Sequence, residues 1–337
     1  MKKTMVILFL IAVLAAAVFL CQKSVKPQSK PAPIQNNTKP PANLTPKQRA
    51  TTTNATLAKV IIQKKTVENS KTLQKKQISR IKISLPVPLP STIPGSLSIL
   101  LSNGHFFKRL KAVRQLGRNL TNKEISLLYA LMDKKDDVSL PADKMNTIKN
   151  DVVNALMEQH KLPTDLTHNL IVMYKDREHN DVWRDYCIQH LGTIYQKLGD
   201  QKEKTKLMDV LWQATEETNL SIAGTALISL QRNIDASGSG RERVAAKALT
   251  FAEDSSCAEP ARITALQICA ELSENKVLDT ARSLINAEAS IPLRMSAIAA
   301  VGTLGDATDL PMLEIHAISS DIRLITAAKS ALKRLRQ

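Results

Sequence analysis

The sequence predicts an all-α fold, a right-handed α-solenoid of about seven stacked helix pairs, standing behind an N-terminal region of different character. Three observations predict it. Glycine is scarce, at 10 of 337 residues, which argues against a turn-rich β architecture. Apolar residues make up 43% but aromatics only 3%, so the interior must be Leu, Ile, Val and Ala, which suits helices in close contact. A helical pattern with a small residue at one fixed position then recurs along the chain at intervals of 29 to 40 residues. A period of that size accommodates two helices and their turns, the mark of a stacked helical repeat.

In chain order, residues 1–21 read as an export signal or membrane anchor. Lys2 and Lys3 precede an apolar run from Met5 to Leu14, and Ala15-Ala16-Ala17 offers a small-residue cleavage site. If that site is not used, the run continues to Leu20 as an anchor. Cys21 adds a third option, lipidation, from which the bulky Leu20 before it departs. All three options place the body outside the cytoplasm, as an exported protein that is membrane-anchored, periplasmic or secreted.

Residues 22–95 form a basic, Pro/Lys-rich linker that reads as disordered. Ten of the fifteen prolines lie between Pro27 and Pro94, and residues 22–120 hold 19 Lys/Arg against the single acid Glu68. Fixed φ angles and like charges resist compaction. From 55 to 90 the linker changes character. Leu57, Val60, Ile61 and Val67 hint at an amphipathic helix, and Ile81, Ile83, Leu85, Val87 and Leu89 alternate with polar residues and prolines as an extended segment. The run Lys64, Lys65, Lys71, Lys75, Lys76, Arg80 and Lys82 is the predicted contact for an anionic surface, either lipid headgroups or a cell-envelope polymer. Residues 22–105 contain no Phe, Tyr or Trp to stack bases, so nucleic acid is not the expected partner.

Residues 96–337 carry the repeats, and here 121–337 are nearly neutral, with 26 Lys/Arg against 30 Asp/Glu. Aligned on Arg294, the residues at +3, +4 and +7 are Ala297, Ile298 and Val301. Arg262 is followed in the same way by Ala265, Leu266 and Cys269, and Arg184 by Cys187, Ile188 and Leu191. Arg323 and the weaker anchors Ala223, Lys149 and Arg109 complete seven. Partner helices are expected at 121–133, 163–175, 200–214, 240–253, 276–287 and 307–318. Gly117, Gly199 and Gly305 are placed at helix ends as left-handed stops. Asp200 and Asp306 follow as N-caps, and Pro163, Pro260, Pro292 and Pro311 fit first turns.

These residues resemble the HEAT-repeat family of α-solenoids. The likeness rests on an acid shortly before a helix-initial arginine (Asp181/Arg184, Glu259/Arg262, Asp321/Arg323), the small residue at +3, and the helix-ending Gly-Asp. It implies that Arg184, Arg262, Arg294 and Arg323 are structural, bridging neighbouring repeats.

No catalytic set is legible. His160, His168, His179 and His190 lie within 31 residues, near Asp176, Glu178, Asp181 and Asp185, but no close His pair with zinc spacing occurs. No metal ligand and no cofactor are therefore predicted. The glycine-rich stretch from Asp235 to Val244 lacks phosphate-loop spacing and reads as a connector. The four cysteines form no CxxC and are too few and scattered for a disulfide framework: Cys187 and Cys269 fall on apolar helix faces and suit core packing, Cys257 lies in a loop, and Cys21 belongs to the signal region. The reading reached is a non-enzymatic, exported or membrane-tethered scaffold that binds a protein partner along its solenoid. The alternatives are a nucleic-acid-binding protein that uses the basic arm, or a HEAT-fold enzyme or cofactor lyase.

Overall fold

The structure is a computed structural model that describes residues 95–337, except 138, 235–237 and 239. The signal or anchor at 1–21, most of the linker at 22–95, and the cation run from Lys64 to Lys82 lie outside the described residues. Among the described residues there are fourteen α-helices and no strand. They are α1 Gly95–Leu101, α2 Phe106–Arg114, α3 Asn122–Asp133, α4 Ala142–Met157, α5 Leu166–Lys175, α6 Asp181–Ile194 and α7 Gln201–Ala214. There follow α8 Ser221–Arg232, α9 Arg241–Glu253, α10 Glu259–Leu272, α11 Leu278–Asn286, α12 Ile291–Leu304, α13 Leu310–Ala317 and α14 Ile322–Leu335. None of these is long and apolar enough to cross a membrane.

The helices pack as seven consecutive pairs. Each odd-numbered helix lies against the even-numbered one that follows it, and the even-numbered helices form a continuous row from α2 to α14. The row follows from the repeated pattern. Val152, Val153 and Leu156, then Cys187, Ile188 and Leu191, then Ala265, Leu266 and Cys269, then Ala297, Ile298 and Val301 are all fully buried. Residues three and four apart lie on one helix face, so each triplet forms a single apolar stripe.

Small side chains set the spacing of the row. A Cβ added to Gly302 on α12 would lie 2.4 Å from the Cβ of Ala331 on α14. At Gly192 on α6 it would lie 2.3 Å from Ser229 Oγ on α8. These helices touch backbone to side chain, an approach that only glycine permits at those two positions.

Three local expectations are corrected. Arg323 does not start the last stripe, because Thr326 and Ser330 are exposed. Instead α14 buries Leu324, Ala328, Ala331 and Leu332, one residue further on. Among the described residues α14 packs against α12 and α13, and its rotation follows its own aliphatic stripe. Second, Gly305 is not left-handed: its φ is −74°. It is glycine for want of room, since a Cβ would meet Asp309 Oδ2 at 2.3 Å and Val301 O at 2.7 Å. Gly117 and Gly199 are not left-handed either; among the described residues that conformation belongs to Gly238, Gly240 and Ser273. Third, Pro163 lies ahead of α5, whereas Pro260, Pro292 and Pro311 do occupy first turns. Asp200 caps α7 as expected, its carboxylate accepting the Glu203 N–H at 2.8 Å.

Candidate functional site

The array repeats one device at its helix ends. The last carbonyls of an α-helix lack intrahelical partners and carry the negative end of the helix dipole. In several pairs a cation on the even-numbered helix covers the end of the odd-numbered one. Arg109 Nε donates to Leu100 O at 3.0 Å, Arg184 Nε to Tyr174 O at 2.8 Å, and Arg294 Nε to Ile285 O at 3.0 Å. Arg262 reaches Ala252 O at 3.1 Å through Nη2. Arg323 is half-exposed and pairs with Asp321 at 2.6 Å.

Two of these arginines also reach an acid in the loop that opens the next even-numbered helix. Arg109 Nη1 donates to Asp137 at 2.9 Å. Arg184 Nη2 lies 2.7 Å from both oxygens of Glu217, which also accepts from Tyr174 and Arg177. Burial pushes both carboxyls up, but the hydrogen bonds outweigh it. Those from Ser139 and Arg109 hold Asp137 down at about 2. Those from Arg184, Tyr174 and Arg177 hold Glu217 below the usual carboxylate range.

The second pair breaks the rule twice. Its anchor is a lysine, Lys149, 1% exposed, which donates to Lys134 O at 2.5 Å and lies 5.0 Å above the Trp183 ring. Burial drives the Lys149 ammonium down to about 8, and the Asp133 and Asp136 charges compensate only in part. In the loop ahead of α6, where the loops ahead of α4 and α8 carry Asp137 and Glu217, stands His179. Its side chain is fully buried. A base thus stands where a carboxylate serves the neighbouring repeats. Burial first, and the Lys149 charge second, hold the imidazole below its ordinary value, so it is neutral at pH 7.

Around His179 converge the ends of two odd-numbered helices. Asp133 is the last residue of α3 and Asp176 caps the end of α5. His179 Nε2 is 3.2 Å from Asp133 Oδ1 and 3.0 Å from Lys135 Nζ. Lys135 Nζ also contacts Asp176 Oδ2 directly and lies 3.5 Å from Asp133 Oδ1. One ligand atom from each of Asp133, Asp176 and His179 lies within 4.8 Å of the others. Two carboxylates at two negative helix ends create a strong local negative potential, and the Lys135 ammonium sits in it. The hydrogen bond from Lys135 is the main reason that Asp176 is held below the usual carboxylate range. The Lys135 ammonium is itself raised: its burial lowers it, but Asp176 and Asp133 outweigh that.

Two hollows flank the cluster. One of about 110 Å³ is lined by Lys135, Met145, Asn146 and Asn180, among others. The second, of about 250 Å³, is lined by Asp133, Tyr129, Asn169, Val172 and Met173. Two carboxylates and a neutral imidazole are a donor set suited to zinc, manganese or ferrous iron. With Lys135 swung to solvent, the position of its nitrogen is open to a divalent cation.

Of the other histidines, His160 and His168 are exposed and His190 is buried on α6, with its Nε2 2.9 Å from Asn150 Oδ1. Cys187, Cys257 and Cys269 are free and buried. Spacing rules missed the cluster because its ligands come from two repeats. Asp133 and Asp176 stand 43 residues apart, about one repeat length, each at the end of its odd-numbered helix. A search for acids at matching positions of successive repeats would have found the pair.

No protein-family model matches the chain, and no curated protein matches it. Among solved structures the chain is similar to human deoxyhypusine hydroxylase in complex with glycerol, at 14% identity and a TM-score of 0.32. The likeness covers 72% of this chain and 94% of that one. The expectation of a non-enzymatic chain without metal ligands is corrected by the geometry of the chain itself: Asp133, Asp176 and His179 form a group able to hold a metal ion.

Proposed function

We propose that this chain is a helical-repeat enzyme that holds a divalent metal ion at Asp133, Asp176 and His179. The observation that carries the reading is the convergence of three ligand atoms within 4.8 Å at the negative ends of α3 and α5. Three protein ligands leave coordination positions open, which suits a catalytic rather than a closed structural site. A bound ion would polarise a substrate oxygen or lower the pKa of a bound water. Of the flanking hollows, one is lined by the ligand Asp133 and the other by Lys135 and the paired amides of Asn146 and Asn180, 2.8 Å apart.

Thermal melts with added Zn²⁺, Mn²⁺ or, anaerobically, Fe²⁺ test this. Binding at a hundredfold excess over Kd stabilises by about 2.7 kcal/mol. His179→Ala is expected to abolish the shift, and Lys135→Ala, which removes the competing ammonium, to tighten binding. If neither the natural protein nor Lys135→Ala responds to any of the three ions, the cluster is an ion-pair network and the proposal fails.

The seven pairs and their continuous row support a right-handed, HEAT-like solenoid, whose long exposed surface suits a protein partner. The apolar run behind Lys2 and Lys3 supports export or membrane tethering. The linker cations from Lys64 to Lys82 support contact with anionic lipid or envelope polymer. An export-dependent reporter fused after residue 60 tests the tethering, and an inactive fusion would refute it.

A further inference from the structure

We infer that the α13–α14 end of the array is a docking surface for an anionic lipid bilayer, independent of the proposed metal site. Seven large apolar side chains are exposed among the described residues, and three of them fall within eight consecutive positions. Ile315, at the end of α13, is 67% exposed. Ile318, in the connecting turn, is 85% exposed, and Ile322, the first residue of α14, is 70% exposed. These three isoleucines make an exposed apolar tip at the turn between α13 and α14.

The outer face of α14 continues from that tip. Ile322, Thr326, Lys329 and Lys333 follow at i, i+4, i+7 and i+11, so they share one stripe, and all four are exposed. The helix contains Arg323, Lys329, Lys333 and Arg334 and no acid. Of its flanking acids, Asp321 is paired with Arg323, and Glu314 with Arg336. Lys329 and Lys333 are the uncompensated charges of the stripe.

Charge decides what covers the face. The segment of this chain outside the described residues is itself cationic, with 14 Lys/Arg against one acid over 22–94. A second copy fits poorly as well. The opposite end of the array, where Phe107 is 68% exposed, is flanked by the exposed cations Lys108 and Lys111. Both occupants would bring like charges together. The occupant is therefore anionic. Protein hot spots are anchored in pockets, whereas protruding aliphatic side chains beside lysines match the boundary between headgroups and acyl chains.

The linker could carry the whole protein to a vesicle, so the test must read the tip locally. In full-length protein with Cys21→Ser, a polarity-sensitive fluorophore is placed at Ile318→Cys. The remaining cysteines are buried. A control carries the fluorophore at Lys202→Cys on α7. With vesicles of phosphatidylglycerol and phosphatidylcholine, emission at 318 is expected to shift to the blue and emission at 202 to stay unchanged. Phosphatidylcholine alone should give no shift. Each lysine near an anionic leaflet changes affinity about fivefold. Lys329→Gln with Lys333→Gln should therefore raise the lipid needed for a half-maximal shift by about thirtyfold at low salt. Protein that sediments with anionic vesicles while the 318 probe stays in water overturns the inference. So does a shift that needs no lipid and grows with protein concentration, which would mean that a second copy covers the tip.

Discussion

Lys149 and Arg184 occupy equivalent places in successive repeats, and replacing each by methionine is expected to have opposite effects. Lys149 is 1% exposed, has no carboxylate hydrogen-bonded to it, and its ammonium is driven from 10.5 to about 8. The fold disfavours its charged form. The sign follows: the cost is absent above pH 10.5, grows as pH falls towards 8, and is complete at pH 7. Two and a half pKa units correspond to about 3 kcal/mol. Lys149→Met removes that cost and forfeits one hydrogen bond to Lys134 O, about 1 to 2 kcal/mol. The net expectation at pH 7 is a gain of roughly 1 to 2 kcal/mol, or about 2 to 6 °C in Tm for a domain of this size. Arg184→Met instead leaves Glu217, 9% exposed, without its two-oxygen partner. Breaking a buried pair costs roughly 3 to 5 kcal/mol, and Arg177 and Tyr174 keep this one near the low end. Thermal melts at pH 7 and pH 10 decide the matter, since the advantage of Lys149→Met should shrink at the higher pH. A Lys149→Met protein that is destabilised as much as Arg184→Met would refute the claim that this lysine is held at a cost.

Two further outcomes follow from the packing. Burial holds His190 down at about 4, so its neutral form is preferred in the fold. Stability from this group is complete above pH 6.5 and is lost as pH falls towards 4, by about 3 kcal/mol; His190→Gln should flatten that limb of the pH–stability curve. Gly302→Ala must push α12 from α14, because the new Cβ would meet Ala331 at 2.4 Å. A loss of roughly 1 to 3 kcal/mol is expected in urea unfolding, whereas a melt like that of the natural protein would show that the two helices separate freely.

The repeat was legible because its signal is local. A small residue at +3 with aliphatics at +4 and +7 lies on one helix face, and the packing of the row buries that face in pair after pair. The register failed at α14 for a physical reason: the aliphatic stripe of Leu324, Ala328, Ala331 and Leu332 sets its rotation against α12 and α13, not the Arg323 anchor. Gly305 was placed correctly at a helix end but for the wrong cause, since the demand for glycine comes from Asp309 folding back against it. The metal-ligand group was not legible by spacing. Asp133 and His179 are 46 residues apart and meet only because α3 and α5 end side by side. The lysine at position 149, among anchors that are mostly arginine, was the one mark in the sequence of an unusual second repeat.

The most direct test of the central claim is anomalous diffraction from crystals of this protein soaked in Mn²⁺ or Zn²⁺, collected at the absorption edge of the metal. The account predicts one strong peak between Asp133, Asp176 and His179 Nε2, about 2.0–2.2 Å from the ligand atoms for zinc, with Lys135 Nζ displaced to solvent. Density for Lys135 unmoved between Asp176 and His179, with no anomalous peak at that position, would contradict it.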